Sequence, residues 1–446
     1  MKRALLVDPW VYDFKCHDFW IKPFGLLRLA RLLKENGFEV DLIDCMDRLD
    51  DDAPAEFKRS DSTGRGAFYS EEVTKPEAYA DIPRKYKRYG LPVDIFREKI
   101  ERLRRPDIIF TGSSMTYNYE GVVLANSLLK EKYSSPIILG GIYPTLCREH
   151  AKKYGKADIV WPGEINNDFI MMLDKICSVR IDMKHGSYYD ELTPDYSMYK
   201  QLESAAVKFT KGCPFSCSYC AIKNFTPDYY QRNPENIIRE LDGYKSRGIK
   251  HIAFYDDALL YKNYFIKGVL KEIIKKGYNF ELHTPNGLHA AYIDEETAEL
   301  MKKSGFKNIR ISIESTDYNI QKTTGNKVDN SIFKEALGRL KKAGFENDDI
   351  GVYTLAGLPG QTYESVMKDV EYIKNMGLKV KMSNYSPIPG TLDFMKLRPD
   401  IKAALTLEPL KQNEFYFLMI NHDYDWEANN KVKKAISEES EEKDNG

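Results

Sequence analysis

Eleven short apolar runs, most of them followed by a stretch of helical spacing, limit this chain to a parallel α/β architecture. Six of them, Ala205–Thr210, His251–Tyr255, Phe280–His283, Asn308–Ile313, Gly351–Leu355 and Lys379–Met382, are spread over about 180 residues. Six βα units of that length suit a partial (βα)6 TIM-type barrel, open on one side. The other five, Ala4–Val7, Phe38–Ile43, Asp107–Thr111, Pro136–Leu139 and Ala157–Val160, describe a Rossmann-like doubly wound domain. A helix is expected over Phe24–Lys34, ended by Asn36-Gly37, and another from Asn233-Pro234-Glu235. The expected division is a first domain over 1–170 with an aperiodic insertion at 50–91, a connector at 171–203, the barrel at 204–400, and a short C-terminal region at 401–446. The insertion is too long for a plain connection and reads as a lid or a flexible segment. Glu438–Gly446 reads as a frayed acidic tail.

Length and charge narrow the function classes. A chain of 446 residues holds two or three domains. Its 66 basic and 67 acidic residues nearly cancel, so no global field recruits nucleic acid or an anionic membrane. The run Arg84-Lys85-Tyr86-Lys87-Arg88 reads as a solvated face. No segment approaches the roughly 18 apolar residues of a membrane span, and Ala4–Val7 is too short for a signal peptide. The expectation is a cytoplasmic protein. Seven cysteines in a reducing compartment remain thiols, so their spacing matters more than their number.

Three of them follow the first barrel strand in Lys211-Gly212-Cys213-Pro214-Phe215-Ser216-Cys217-Ser218-Tyr219-Cys220. A short loop brings Cys213, Cys217 and Cys220 to a common point, and thiolates are the usual protein ligands of iron–sulfur clusters. Full ligation needs four, so a 4Fe–4S cluster held here keeps one iron open for chemistry. A zinc site would pair CxxC with a second Cys or His pair downstream, and none follows.

This loop, with the six βα units around it, resembles the radical S-adenosylmethionine superfamily over about residues 203–400. The resemblance implies that the open iron chelates the methionine end of S-adenosylmethionine. One electron then breaks a C–S bond to give a 5′-deoxyadenosyl radical. It places Tyr219 beside the adenine. It puts Tyr255-Asp256-Asp257 where the family commonly has Gly-Gly-Glu, so Asp256 or the backbone there would meet the methionine amine. Asn286, in Thr284-Pro285-Asn286-Gly287-Leu288, would line the pocket, and Glu314 and Ser315 would take the ribose or the methionine carboxylate. Gly357, in Leu355-Ala356-Gly357-Leu358-Pro359-Gly360, would approach the adenine. Each residue also has a plain structural role open to it, such as a turn at Gly357 or an ion pair between Glu314 and Arg310. Tyr255, Asp257 and His283 are pocket candidates without individual catalytic roles.

The first domain resembles the cobalamin-binding domains fused in front of many such enzymes, and more narrowly the chain is similar to a largely uncharacterised group of such fused proteins, so the resemblance implies no substrate. Pro23-Phe24-Gly25-Leu26-Leu27, Pro106-Asp107-Ile108-Ile109, Gly112-Ser113-Ser114, Gly140-Gly141-Ile142-Tyr143-Pro144 and Pro162-Gly163-Glu164 carry the likeness. Ser113, Gly140 and Gly141 are the candidates for contact with a flat macrocycle. No Asp-x-His-x-x-Gly is present, and the spacing of His17 to Asp13 and Gly25 does not supply one. The reading is cobalamin-dependent methyl transfer to an unactivated carbon or phosphinate-like centre of an unidentified substrate. A low-potential donor such as flavodoxin or ferredoxin would supply the electron. Three alternatives stand beside it. One is a cobalamin-independent radical rearrangement, cyclisation or elimination. Another is a methylthiotransferase whose second cluster uses Cys16, Cys45 and Cys147. The third is a non-catalytic cluster-bearing sensor. Cys177 reads as structural.

Overall fold

The computed structural model describes residues 1–182, 190 and 192–444, so parts of the expected connector (183–189 and 191) and the last two residues of the expected tail lie outside the described residues. The chain forms two compact units. The first is Met1–Ala206 with Ser246–Ile249 and Ala403–Leu410; the second is Val207–Lys245 with Lys250–Lys402 and Lys411–Gly446.

In the first unit, β1 (Arg3–Asp8), β2 (Glu39–Asp44), β3 (Ile108–Thr111), β4 (Ile137–Leu139) and β5 (Ile159–Val160) make one parallel sheet in the order β2-β1-β3-β4-β5. The chain reverses its direction of winding between β1 and β3, the place where doubly wound sheets open a crevice at their carboxyl ends. The helix Phe24–Glu35 buries Leu26, Leu27, Leu29, Ala30, Leu32 and Leu33 against one face, and Gly37 closes it at φ 79°. Helix Asn167–Cys177, capped by the Asn166 side chain on Phe169 N–H, adds Phe169, Ile170 and Leu173 to the same core.

The stretch 50–91 shows no period because its strands are only three residues long. Ser70–Glu72 and Val11–Asp13 flank Lys87–Tyr89 in an antiparallel sheet. Aromatic packing holds it: the rings of Phe14, Tyr79 and Tyr86 lie 5.0–5.2 Å apart. Tyr79 is 1% exposed and its hydroxyl donates to Leu410 C=O, while the Tyr119 hydroxyl donates to Glu408. The returning segment Ala403–Leu410 thus supplies acceptors that the first unit's own strands lack.

Nearby, the Tyr143 hydroxyl pairs with His150 Nδ1 at 2.7 Å inside a group of rings that includes Tyr119 and Tyr154. Burial, helped by the Lys153 ammonium, holds the His150 imidazole down at about 4. The unfolded chain therefore takes up this proton first, and stability is lost as pH falls from about 6.5 toward about 4. Denaturant titrations should show the native protein losing about 1 kcal/mol more than a His150→Phe variant between pH 7 and pH 5, the figure reduced for partial exposure of the ring. Equal slopes in the two proteins would remove His150 as the cause.

The second unit is the partial (βα)6 barrel. Its strands are β6 (Ser204–Val207), which starts in the last residues of the first unit, then β7 (His251–Phe254), β8 (Glu281–His283), β9 (Ile309–Glu314), β10 (Ile350–Ala356) and β11 (Lys379–Asn384). They run in the orders β8-β7-β6 and β9-β10-β11, and parallel bridges at Leu282–Phe306 and Leu288–Ile311 join the two sets. Helix Pro234–Ser246 begins where expected, with Asn233 Oδ1 accepting from Glu235 N–H at 2.8 Å. The first strand is shorter than the expected 205–210. Asp256 takes the N–H groups of Phe209 and Thr210, which draws the chain out of the parallel ladder. Thr210–Lys211 then pairs antiparallel with Tyr230–Gln231. A helix, Trp426–Asp444, runs through much of the stretch read as a frayed tail. No helix among the described residues is long and apolar enough to cross a membrane.

Candidate cluster and nucleotide site

The cysteine loop leaves the barrel through Gly212. That glycine sits at φ 74°, and a Cβ on it would lie 2.2 Å from Asp228 C=O, so no side chain fits at the turn. Gly212 N–H donates to Asp257 Oδ2 at 3.2 Å, and Lys208 pairs with the same oxygen at 3.4 Å. On the far side, Ser218 donates to Asp393 Oδ2 at 2.7 Å and its N–H reaches Thr324 C=O. The turn Thr324-Gly325-Asn326-Lys327 presses on the loop: a Cβ on Gly325 would lie 3.3 Å from Cys217 Cα. Cys213 and Cys217 are partly exposed and Cys220 is exposed. Burial pushes all three thiols up, and the Lys327 ammonium opposes it at each of them. These are the only cysteines of the second unit. Three thiols on one braced loop, with no fourth, fit a 4Fe–4S cluster that keeps one iron open.

Beside the loop, Cys217, Tyr219, Ser312, Ile313, Glu314 and Lys327 line part of a recess of about 260 Å³, open to solvent. Glu314 ends β9 at φ 62°, beyond a shift in the strand register, a backbone state that bulky residues adopt only under constraint. The Tyr219 hydroxyl donates to its carboxylate, and burial first, then Glu314, pushes the tyrosine up. Tyr219 and Glu314 thus meet in one recess with Cys217.

Other expected site residues fall elsewhere. Asp256 is 3% exposed and accepts from Phe209 N–H, Thr210 N–H and Thr210 Oγ1 at 2.6–3.2 Å. Its carboxylate is committed to the backbone that enters the loop, so it braces the site and does not present itself to a methionine amine. Asn286 Nδ2 reaches the Asp256 carbonyl at 3.3 Å. Asp257 lies against the loop as described, and Tyr255 follows the end of β7, half-buried. Ser315 is fully buried and its hydroxyl bonds to Asp369 and Asp317 N–H, away from the recess. Gly357 at φ 84° faces Tyr424, whose ring would lie 3.3 Å from a Cβ there, and its carbonyl accepts from Asn421. It makes a turn under the C-terminal helices and offers no open ledge. His283, the last residue of β8, is fully buried and its ring meets that of His251.

Sequence reasoning missed Lys327, Gln321 and Thr324, which also line the recess. Their only local signal is the Gly325-Asn326 dipeptide, which marks a turn and says nothing about what the turn touches.

In the first unit, Ser113, Gly140 and Gly141 meet at the carboxyl ends of β3 and β4. Ser113 Oγ donates to Gly140 C=O at 2.9 Å, and Gly141 sits at φ 101° with its Cβ position 2.5 Å from Ser113 C=O. A Cβ on Gly140 would meet nothing within 4 Å, so the edge there is open. Asp8 and Asp44, at the ends of β1 and β2, are both pushed up by burial, and Tyr199 donates to Asp44 at 2.6 Å. The remaining cysteines do not gather. Cys45 packs in the core with Trp10 and Phe96, Cys147 with Val122 and Tyr143, and Cys16 against Met46, Phe68 and Tyr89. Cys177 is buried with Leu173. His17 is exposed on the surface.

The family described as the Radical SAM superfamily matches residues 207–373. The ribosomal protein uS12 methylthiotransferase RimO of Clostridium botulinum is 25% identical over 248 residues, covering 50% of this chain and 53% of that protein. The chain therefore spans about half the length of the curated relatives it matches. An uncharacterized methyltransferase of Pyrococcus horikoshii is 24% identical over 46% of this chain and 44% of its own length. Among solved structures, the radical S-adenosylmethionine methyltransferase TsrM from Kitasatospora setae, with tryptophan substrate and a SAM analog bound, superimposes with a TM-score of 0.65 at 15% identity. It covers 88% of this chain and 75% of its own. The cobalamin-dependent S-adenosylmethionine radical enzyme OxsB gives 0.57 at 14%, covering 93% of this chain and 56% of its own. These two likenesses describe the fold: a Rossmann-like unit and a partial barrel. The braced three-cysteine loop and the family match fall on the same segment, so the barrel unit of this chain resembles the Radical SAM superfamily over residues 207–373.

Proposed function

We propose that this chain is a cobalamin-dependent radical S-adenosylmethionine methyltransferase acting on an unactivated centre. The observation that carries the reading is the open glycine edge of a β2-β1-β3-β4-β5 sheet in a chain that also holds a cluster loop of the radical type. When bound, the cluster supplies the electron that cleaves S-adenosylmethionine, and cobalamin supplies the methyl group. The chain's own residues position and shield. Cys213, Cys217 and Cys220 would hold the cluster, and Lys327 offsets its negative charge. The Tyr219 hydroxyl fixes the Glu314 carboxylate in the recess, where it would meet a hydroxyl or ammonium of the nucleotide. The Tyr353 hydroxyl donates to Pro285 C=O at 2.8 Å and holds the 284–288 segment in place. Ser113, Gly140 and Gly141 would support the macrocycle. TsrM, a methyltransferase, and OxsB, cobalamin-dependent by description, support the reading.

Anaerobic reconstitution followed by product analysis tests it. Bound cobalamin, with S-adenosylhomocysteine and 5′-deoxyadenosine as products, is expected. A Gly140→Val variant, which closes the open edge, should lose cobalamin while its cluster iron stays constant. 5′-Deoxyadenosine formation with no cobalamin bound would overturn the reading. The RimO relatives favour a second one, methylthiolation, which needs a second cluster. Three cysteines packed into three separate cores weigh against it. Iron content separates the two, at about four atoms per chain against about eight.

A further inference from the structure

We propose that His251, Glu281 and His283 form a binding site for one divalent transition-metal ion, best matched by zinc, on one face of the paired strands β7 and β8. His251 and Glu281 are the first residues of their strands and stand directly opposite one another in parallel register, as Ala253 stands opposite His283. Side chains alternate along a strand, so all three project from one face of the sheet, while Ile252 and Leu282 supply the apolar contacts of the other. His251 Nδ1 lies 3.2 Å from His283 Nε2 and 3.5 Å from Glu281 Oε2, and one donor atom from each residue falls within 4.8 Å of the others. A tetrahedral ion with bonds of about 2.0–2.1 Å sets its ligands about 3.3–3.4 Å apart, the spacing that the two histidine contacts bracket. A small rotation of the glutamate closes the third edge.

The donor chemistry fits the same cation. Two imidazoles and one carboxylate are borderline ligands suited to zinc and its neighbours, and unsuited to calcium or magnesium. Lys250 holds the other carboxylate oxygen of Glu281 at 3.0 Å, which aims Oε2 at the histidines. The two imidazoles are at most 7% exposed and Glu281 is 25% exposed, so the ion would enter along the carboxylate. Three protein ligands leave a fourth position for water. The site is distinct from the cluster loop, which lies against Asp257 beyond the opposite end of β7. An ion here would cross-link two neighbouring barrel strands. The same atoms could instead share a proton in a histidine–histidine hydrogen bond, and this competing state would bind no metal.

The full chain with its reconstituted cluster, stripped of loosely held metal by chelator, would be titrated with zinc(II) alone. One zinc per chain is expected, with a first shell of nitrogen and oxygen by zinc-edge absorption and a rise in melting temperature. A chain with Cys213, Cys217 and Cys220 all changed to serine should take up the same ion, because the cluster thiols are not its ligands. Glu281→Gln keeps the shape of a partly exposed side chain and should weaken zinc by about 100-fold or more, beyond the 10–100-fold typical of an outer-shell change. His251→Gln should do the same. Absence of zinc uptake, sulfur in the first shell, or unchanged affinity in Glu281→Gln would each overturn the proposal.

Discussion

A Cys213→Ala variant should lose the open-iron cluster and, with it, at least about a thousandfold of 5′-deoxyadenosine formation. On the proposed reading each thiolate of the loop would be the sole protein ligand of one iron, and the second unit has no other cysteine to replace it. The loss should be close to all-or-none, because removing one thiolate would leave a second iron without a protein ligand. Such a loss corresponds to about 4 kcal/mol or more on the barrier. The fold should survive, since Cys213 is partly exposed and the loop stays tied by Asp257 at one end and Asp393 at the other. Iron content, the visible spectrum and the far-ultraviolet signal, measured on one preparation, check all three statements. Cleavage activity retained at the native level would refute the ligand assignment.

Asp256→Ala should be the most damaging change that touches no ligand. The carboxylate accepts two backbone N–H groups and one hydroxyl where the chain leaves the barrel for the cysteine loop. Removing it takes the shared acceptor from three buried donors, a cost of about 3–5 kcal/mol by the usual size of such losses. Burial outweighs those bonds in setting its proton affinity, and the group is pushed up to about 6. The folded protein therefore binds this proton more tightly than the unfolded chain does. The stability contributed is largest below about pH 4 and is lost as pH rises through about 6. Asp256→Asn should flatten that part of the stability profile and cost less than the alanine, because its oxygen still accepts. Denaturant midpoints across pH 4–7 would show both effects. An alanine variant as stable as the native protein would rule out the bracing role.

Much of the fold is legible in the sequence because period and punctuation agree there. The strand positions follow apolar runs, and the helix ends follow Asn36-Gly37 and Asn233-Pro234. The cluster loop is legible because chemistry fixes its spacing. What could not be read depends on contacts between residues far apart. Asp256 looks like a ligand for the nucleotide until its partners at Phe209 and Thr210 are known. Ser315 and Gly357 hold the expected strand-end positions, yet Asp369 claims the one and the C-terminal helices cover the other. Lys327 lies more than a hundred residues from Cys213 and carries no motif. The three-residue strands between 70 and 89 are too short to show an alternation at all.

The returning segment Ala403–Leu410 has a bearing on how the molecule is made. A ribosome finishes β1 to β5 well before it reaches Glu408 and Leu410, the acceptors for Tyr119 and Tyr79. Until then the first unit waits with two tyrosine hydroxyls lacking those partners, one of them on a ring destined to be almost wholly enclosed. Most of the second unit, up to Lys402, emerges in the interval. Nascent-chain folding is therefore not a simple amino-to-carboxyl sequence of finished domains, and the earliest-translated part is among the last to be completed.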